Sequence, residues 1–283
     1  MLKVKLTQAC TDTSLPILYR DLLLDGANGG VLSLYDIANS YCYNQSTNPT
    51  NAKVIKNINE SGNDGSLVIQ SGQSLSVSGN GLVFDAVTSA NNYANGNSAP
   101  LANIWANANQ YFLYVMYCKL PSSASWNSSG SLETMVQFAS QSADYRTVAD
   151  LLMIAQQASG QILSFRRQTA IGSADTIGLT PNALDYGNFV QLAFWRNASG
   201  QAARLKSANG TVIATNTVNS NNSANFSTST QKVGHVGGLL GSANAVKWRY
   251  YRSFLENLNT SGRDPATVAD ADYARTVARG VFS

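Results

Sequence analysis

The chain has 283 residues, of which 44% are hydrophobic and 12% charged, with a net charge of +3. That length supports one large domain with a sizeable core, and so small a charge leaves no electrostatic footprint for nucleic acid or a membrane surface. Charged residues are about half their usual share, and polarity comes instead from Asn, Ser, Thr, Gln and Gly, a mixture that favours strands and tight turns over helices.

The opening Met1-Leu2-Lys3-Val4-Lys5-Leu6-Thr7 lacks the apolar core of a secretory signal, and no apolar run reaches the length of a membrane span. Cys10, Cys42 and Cys118 form an odd, widely spaced set, which reads as reduced buried thiols rather than a disulfide framework. Residues 1–60 read as an N-terminal arm or an extra layer. Within them, residues 15–24 are apolar but end at Asp25 and a Gly-rich turn, and residues 39–59 read as loop.

Residues 61–283 read as an all-β, two-sheet antiparallel sandwich closed by a short C-terminal helix. Strands are predicted over 66–70, 73–78 and 81–86, separated by Ser-Gly and Gly-Asn-Gly turns. Residues 91–109 are rich in Asn, Ala and Gly and read as a long surface loop. Residues 110–121 are continuously apolar and close on Pro121, as a buried strand should. Further strands are expected over 133–139, 150–156 and 161–168, with residues 169–188 as a polar crossover.

A three-strand meander then organises the centre. Val190, Leu192 and Phe194 alternate with Phe189, Gln191, Ala193 and Trp195, so both faces of this strand carry apolar groups. Gly200 supplies one turn, and Asn209-Gly210 reads as the type I′ turn of a hairpin. Residues 232–238 form a short strand bearing the single histidine, His235, and residues 244–254 form the last one. The terminal helix is capped by Asp264, has Pro265 in its first turn and Arg275 and Arg279 near its carbonyl end. Ala269, Tyr273 and Val277 mark its apolar face.

The meander, the early strand Gly81-Leu82-Val83-Phe84-Asp85 and the late strand over 245–254 resemble the concanavalin A-like, laminin-G-like jelly-roll family. The stretch from Arg252 to Leu258, then Ser261-Gly262-Arg263 and a helix with Asp270 and Tyr273, is similar to the ending of such domains in virion proteins of tailed bacteriophages. This resemblance implies a jelly-roll fold and a virion location. It implies a non-enzymatic structural component of a phage particle, a decoration, fibre or tail protein, with other virion proteins and further copies of itself as partners. The alternative is a carbohydrate-binding host-attachment module with a glycan as partner.

Glucanases of this superfamily carry alternating acidic residues on one strand, whereas Glu60, Glu133 and Glu256 are isolated here. His235 stands beside glycines rather than in a nucleophile elbow, and one histidine with three scattered cysteines makes no zinc site. No cofactor is expected. No metal is expected either; laminin-G-like domains can bind calcium, for which Asp85, Asp144, Asp150 and Asp175 are the candidates, although their spacing does not support a site. For a sugar, Trp105 and Trp126 in expected loops are the candidates for stacking on a ring.

Overall fold

In a computed structural model, residues 21–59, 61–85, 91–126, 132–141, 146–236 and 247–282 are described. The strands before the central meander are β1 (Val31–Asp36), β2 (Val54–Ile55), β3 (Gly65–Ile69), β4 (Ser76–Ser78), β5 (Gly81–Phe84), β6 (Asn92–Asn95) and β7 (Phe112–Lys119). They continue with β8 (Leu132–Ala139), β9 (Asp150–Gln157), β10 (Ile162–Ala170) and β11 (Ser173–Leu179). The meander is β12 (Phe189–Asn197), β13 (Gly200–Ser207) and β14 (Gly210–Asn216), followed by β15 (Thr230–His235) and β16 (Trp248–Asn257). Three helices accompany them: α1 (Ala99–Trp105), α2 (Leu258–Ser261) and α3 (Pro265–Ala278).

These strands form two antiparallel eight-stranded sheets, which gives the two-sheet sandwich expected from the sequence. The first runs β14-β13-β12-β7-β16-β5-β4, with β1 also pairing with β16; the second runs β11-β10-β9-β8-β15-β6-β3-β2. Between them, Phe194 packs edge-on to both Phe112 and Phe165, and Tyr114 to Phe138. Polar bridges cross this core. The Gln231 amide donates to Ser253 Oγ at 2.9 Å and to Tyr114 OH at 3.3 Å, and Gln201 of the first sheet donates to Asp175 of the second at 3.0 Å, so each of these buried amides finds an acceptor on the opposite sheet.

The other face of the first sheet is also covered, because α3 lies on it. Gln191, on the outward side of β12, donates to the Ala269 carbonyl and to Tyr117 OH, both at 2.7 Å. Both faces of β12 and β7 are therefore buried, which explains their continuous apolar sequence.

Several expectations change. The expected loop over 91–109 contains β6 and α1: Pro100 sits at the start of the helix, and Leu101 and Ile104 bury themselves. The expected crossover over 169–188 contains β11, hairpinned to β10 through Gly172 at φ +78°. At the meander's second turn, Ser207 pairs with Gly210, so Ala208 and Asn209 form the loop. Among these residues only Gly210 has positive φ, at +123°, which replaces the expected type I′ geometry. Gly200, at φ +120°, plays the same part in the first turn, where a Cβ would meet the Asn216 carbonyl oxygen at 2.5 Å.

The last strand begins at Trp248 and runs on to Asn257, while residues 244–246 lie outside the described residues. On α3 the buried face is Pro265, Val268, Ala269, Asp272 and Thr276, and Val277 faces solvent. That stripe is rotated from the expected one because two of its members are polar and hydrogen-bonded or charge-paired rather than apolar. The segment read as an arm or extra layer supplies β1 to the first sheet and β2 to the second. Cys42 and Cys118 are free and buried, and Cys10 lies outside the described residues. Among the described residues no helix is long and apolar enough to cross a membrane.

Candidate functional site

Trp105 ends α1 half-buried, its ring edge-on to Phe226 at 5.1 Å and packed on the main core. Trp126 is 5% exposed, edge-on to Tyr186 at 5.2 Å, and its Nε1 donates to the Gln157 carbonyl at 2.9 Å. The two rings flank opposite ends of β7. Each packs on its own partner, Trp105 on Phe226 and Trp126 on Tyr186. They form no joint platform, and each plugs one end of the sandwich.

The candidate carboxylates are not gathered either. Asp150 meets the Arg166 guanidinium at 2.7 Å, with both side chains buried. Asp175 meets Arg167 at 2.7 Å and accepts from Gln201. Asp85 is exposed beyond the end of β5, and Asp144 and Glu60 lie outside the described residues. Glu133 lies 3.4 Å from His235 Nδ1, and Glu256 pairs with Arg263 at 2.6 Å. Among the described residues no group of three acidic, His or Cys side chains is placed to hold a metal.

What the fold does assemble is a polar row across the outer face of the second sheet. Register places Thr176 opposite Arg166, Arg166 opposite Met153, Met153 opposite Gln137 and Gln137 opposite Lys232. It continues from Lys232 to Asn95 and from Asn95 to Ser66. Alternation along each strand turns the neighbours of these residues, such as Phe165, Ile154, Val136 and Val233, into the core. Met153, the apolar member of the row, forms a second, smaller apolar cluster with Tyr93, Ala155 and Val236.

The middle of the row is closed off and its β10–β11 end is open. Lys232 is buried, its ammonium donating to Thr230 Oγ1 at 2.9 Å and to the Ala139 carbonyl. Burial pushes its pKa down to about 8. Gln137 is fully buried, and among the described residues neither of its amide atoms has a hydrogen-bond partner. Burial also raises Asp150 to about 6 against the opposing pull of Arg166. At the open end lies a groove of about 430 Å³ lined by Leu132, Gln157, Ser164, Arg166, Gly172, Ala174 and Thr176. It offers amide, hydroxyl and guanidinium groups beside two small apolar surfaces. Trp126 fixes one wall by holding the backbone of Gln157.

Sequence reasoning missed this groove because its residues come from four strands and a turn spread over some forty positions. The signal available was Arg166-Arg167 directly after Phe165 inside a strand, where a buried charge needs a partner.

A second depression, of about 600 Å³, lies beside the end of α3. Its floor is Arg252, held by Asp21 at 2.7 Å, Asp272 at 2.9 Å and Asp36 at 3.3 Å. Arg279 also pairs with Asp36. Three cations, with Arg275 at the rim, balance three carboxylates, and the helix end adds negative partial charge. This arrangement fastens α3 to the sheet rather than attracting an ion.

No protein-family model matches the sequence, and no curated protein matches it. Solved structures are similar in fold. One described as a receptor-binding domain covers 83% of this chain and 49% of its own, with TM-score 0.53 and 10% identity. The botulinum neurotoxin serotype D binding domain covers 87% of this chain and 53% of its own, with TM-score 0.50 and 11% identity. The chain thus spans about half the length of these structures, and at such identity the likeness is one of fold.

Proposed function

We propose that this chain is a binding module that takes an uncharged, hydroxyl-rich ligand, a neutral glycan, in the groove on the outer face of the second sheet that β8, β9, β10 and β11 line. The observation that carries the reading is the groove's lining: Gln157 and Thr176 present donors and acceptors beside Leu132 and Ala174, above Ser164 and Arg166, which are almost closed to solvent. A sugar needs that combination of directed hydrogen bonds and small apolar contacts. Arg166 is already neutralised by Asp150, which favours a neutral sugar over an acidic one. Binding rather than catalysis is supported by the pairing of Asp150, Asp175 and Glu256 with arginines, which occupies the carboxylates an acid–base mechanism would use. That similar folds are described as binding domains agrees with this reading.

A compatible second reading is that the module is carried on a bacteriophage particle. It rests on the likeness of the stretch from Arg252 to Tyr273 to the ending of virion proteins, and incorporation of the tagged chain into particles tests it.

A glycan array that includes neutral and sialylated sugars tests the main reading. Binding to neutral glycans is expected, weakened at least about tenfold by Thr176→Trp, which fills the groove from an exposed edge position. No signal on the array, or unchanged binding by that variant, overturns it.

A further inference from the structure

The two ends of each sheet are built differently. At one end the edge strands are β4 and β2, of three and two residues. At the other end they are β14 and β11, of seven residues each. Short edges offer little template for another strand, whereas a long one needs charge, proline or a bulge to stay unpaired. β14 (GTVIATN) has no charge and no proline, its register with β13 is unbroken, and four of its residues are β-branched. Ile213 is 52% exposed in the middle of it. Among the described residues only β13 pairs with β14.

We infer that two copies of this chain associate by antiparallel pairing of β14 with β14 about a two-fold axis through Ile213. A second copy is the occupant because the strand complements itself. Centring on Ile213 sets that residue against its own twin, Val212 against Ala214 and Thr211 against Thr215, with apolar meeting apolar, hydroxyl meeting hydroxyl and no like charges opposed. The nearest cations on the same face, Arg204 and Lys206, are both paired with Asp270, so they add little repulsion across the axis. β11 suits self-pairing less well, since Asp175 and Gly178 interrupt it. The β14 edge lies beside β11, whose Thr176 lines the groove, so association brings two groove-bearing edges to one junction.

Analytical ultracentrifugation up to about 100 µM, with crosslinking through one introduced cysteine in a Cys10→Ser background whose remaining Cys42 and Cys118 are buried, tests this. A dimer is expected, and Ile213→Lys should return it to monomer while circular dichroism and Tm stay unchanged. Ile213→Cys should crosslink to itself under mild oxidation. Thr211→Cys should not, because its twin would stand about 13 Å away, beyond disulfide reach; mixed with Thr215→Cys it should crosslink. A chain monomeric throughout, a dimer that survives Ile213→Lys, or a dimer without the Ile213 crosslink each overturns the inference.

Discussion

Arg252 of β16 lies 2.9 Å from Asp272 of α3, and both side chains are closed to solvent. Tyr117 OH donates to the other oxygen of the same carboxylate at 2.7 Å, so one acidic group ties a strand of the sheet, a second strand and the terminal helix together. Asp21 joins from the far side. Burial pushes its pKa up, yet the opposing field of Arg252 holds it below the usual carboxylate range. Replacing Arg252 by Leu would take the shared cation from Asp21 and Asp272 and leave Asp36 with Arg279. Loss of about 3–5 kcal/mol of unfolding free energy is expected. Urea unfolding measures it, and a loss under about 1 kcal/mol would show that the cluster does not fasten the helix.

Lys232 gives a pH signature. Burial lowers its folded pKa to about 8, below the ordinary 10.5 of an unfolded chain. Between those values the unfolded chain holds more protons than the folded one, so this residue makes stability rise as pH climbs from about 8 towards 10. Lys232→Met should remove that rise. Thermal unfolding of both proteins across this window measures the difference, and parallel profiles would contradict it.

Gln137 is the opposite case, a buried amide with no hydrogen-bond partner among the described residues. Leaving such a group unsatisfied costs about 1–3 kcal/mol. Gln137→Leu, of similar volume, is therefore expected to leave stability unchanged or raise it. A clear loss of Tm would mean that the amide is used.

The two sandwich-end tryptophans should behave unequally. Trp126 is enclosed and hydrogen-bonded, so Trp126→Ala should cost about 3–5 kcal/mol and disturb the groove through Gln157. Trp105 is only partly enclosed, and Trp105→Ala should cost less and leave glycan binding intact. Equal losses of binding in two folded variants would point back to the rings themselves.

The sandwich was legible in sequence because its central strands advertise themselves: the alternation over Phe189–Asn197 and the glycines at 200 and 210 fix a meander almost alone. Helix α1 and strand β11 were illegible for the converse reason. Each buries only two or three side chains, Leu101 and Ile104 in one and Ile177 and Leu179 in the other, among residues typical of loops. The groove was hidden more deeply. Gln157 and Arg166 come to line one groove only through the register of β9 with β10, which sets Gln157 opposite Ile162 and Arg166 opposite Met153, and no local pattern encodes that register. The tryptophans drew attention as large rings in apparent loops, but a ring at the end of a sandwich has core to fill.

The most direct measurement is backbone amide chemical-shift mapping with a glycan that scores on the array. The account predicts that the largest shifts fall on Gln157, Ser164, Arg166 and Thr176, saturate with the ligand and vanish in Thr176→Trp. Shifts centred instead on the ends of the sandwich around Trp105 or Trp126, or on the depression beside Arg275, would contradict it.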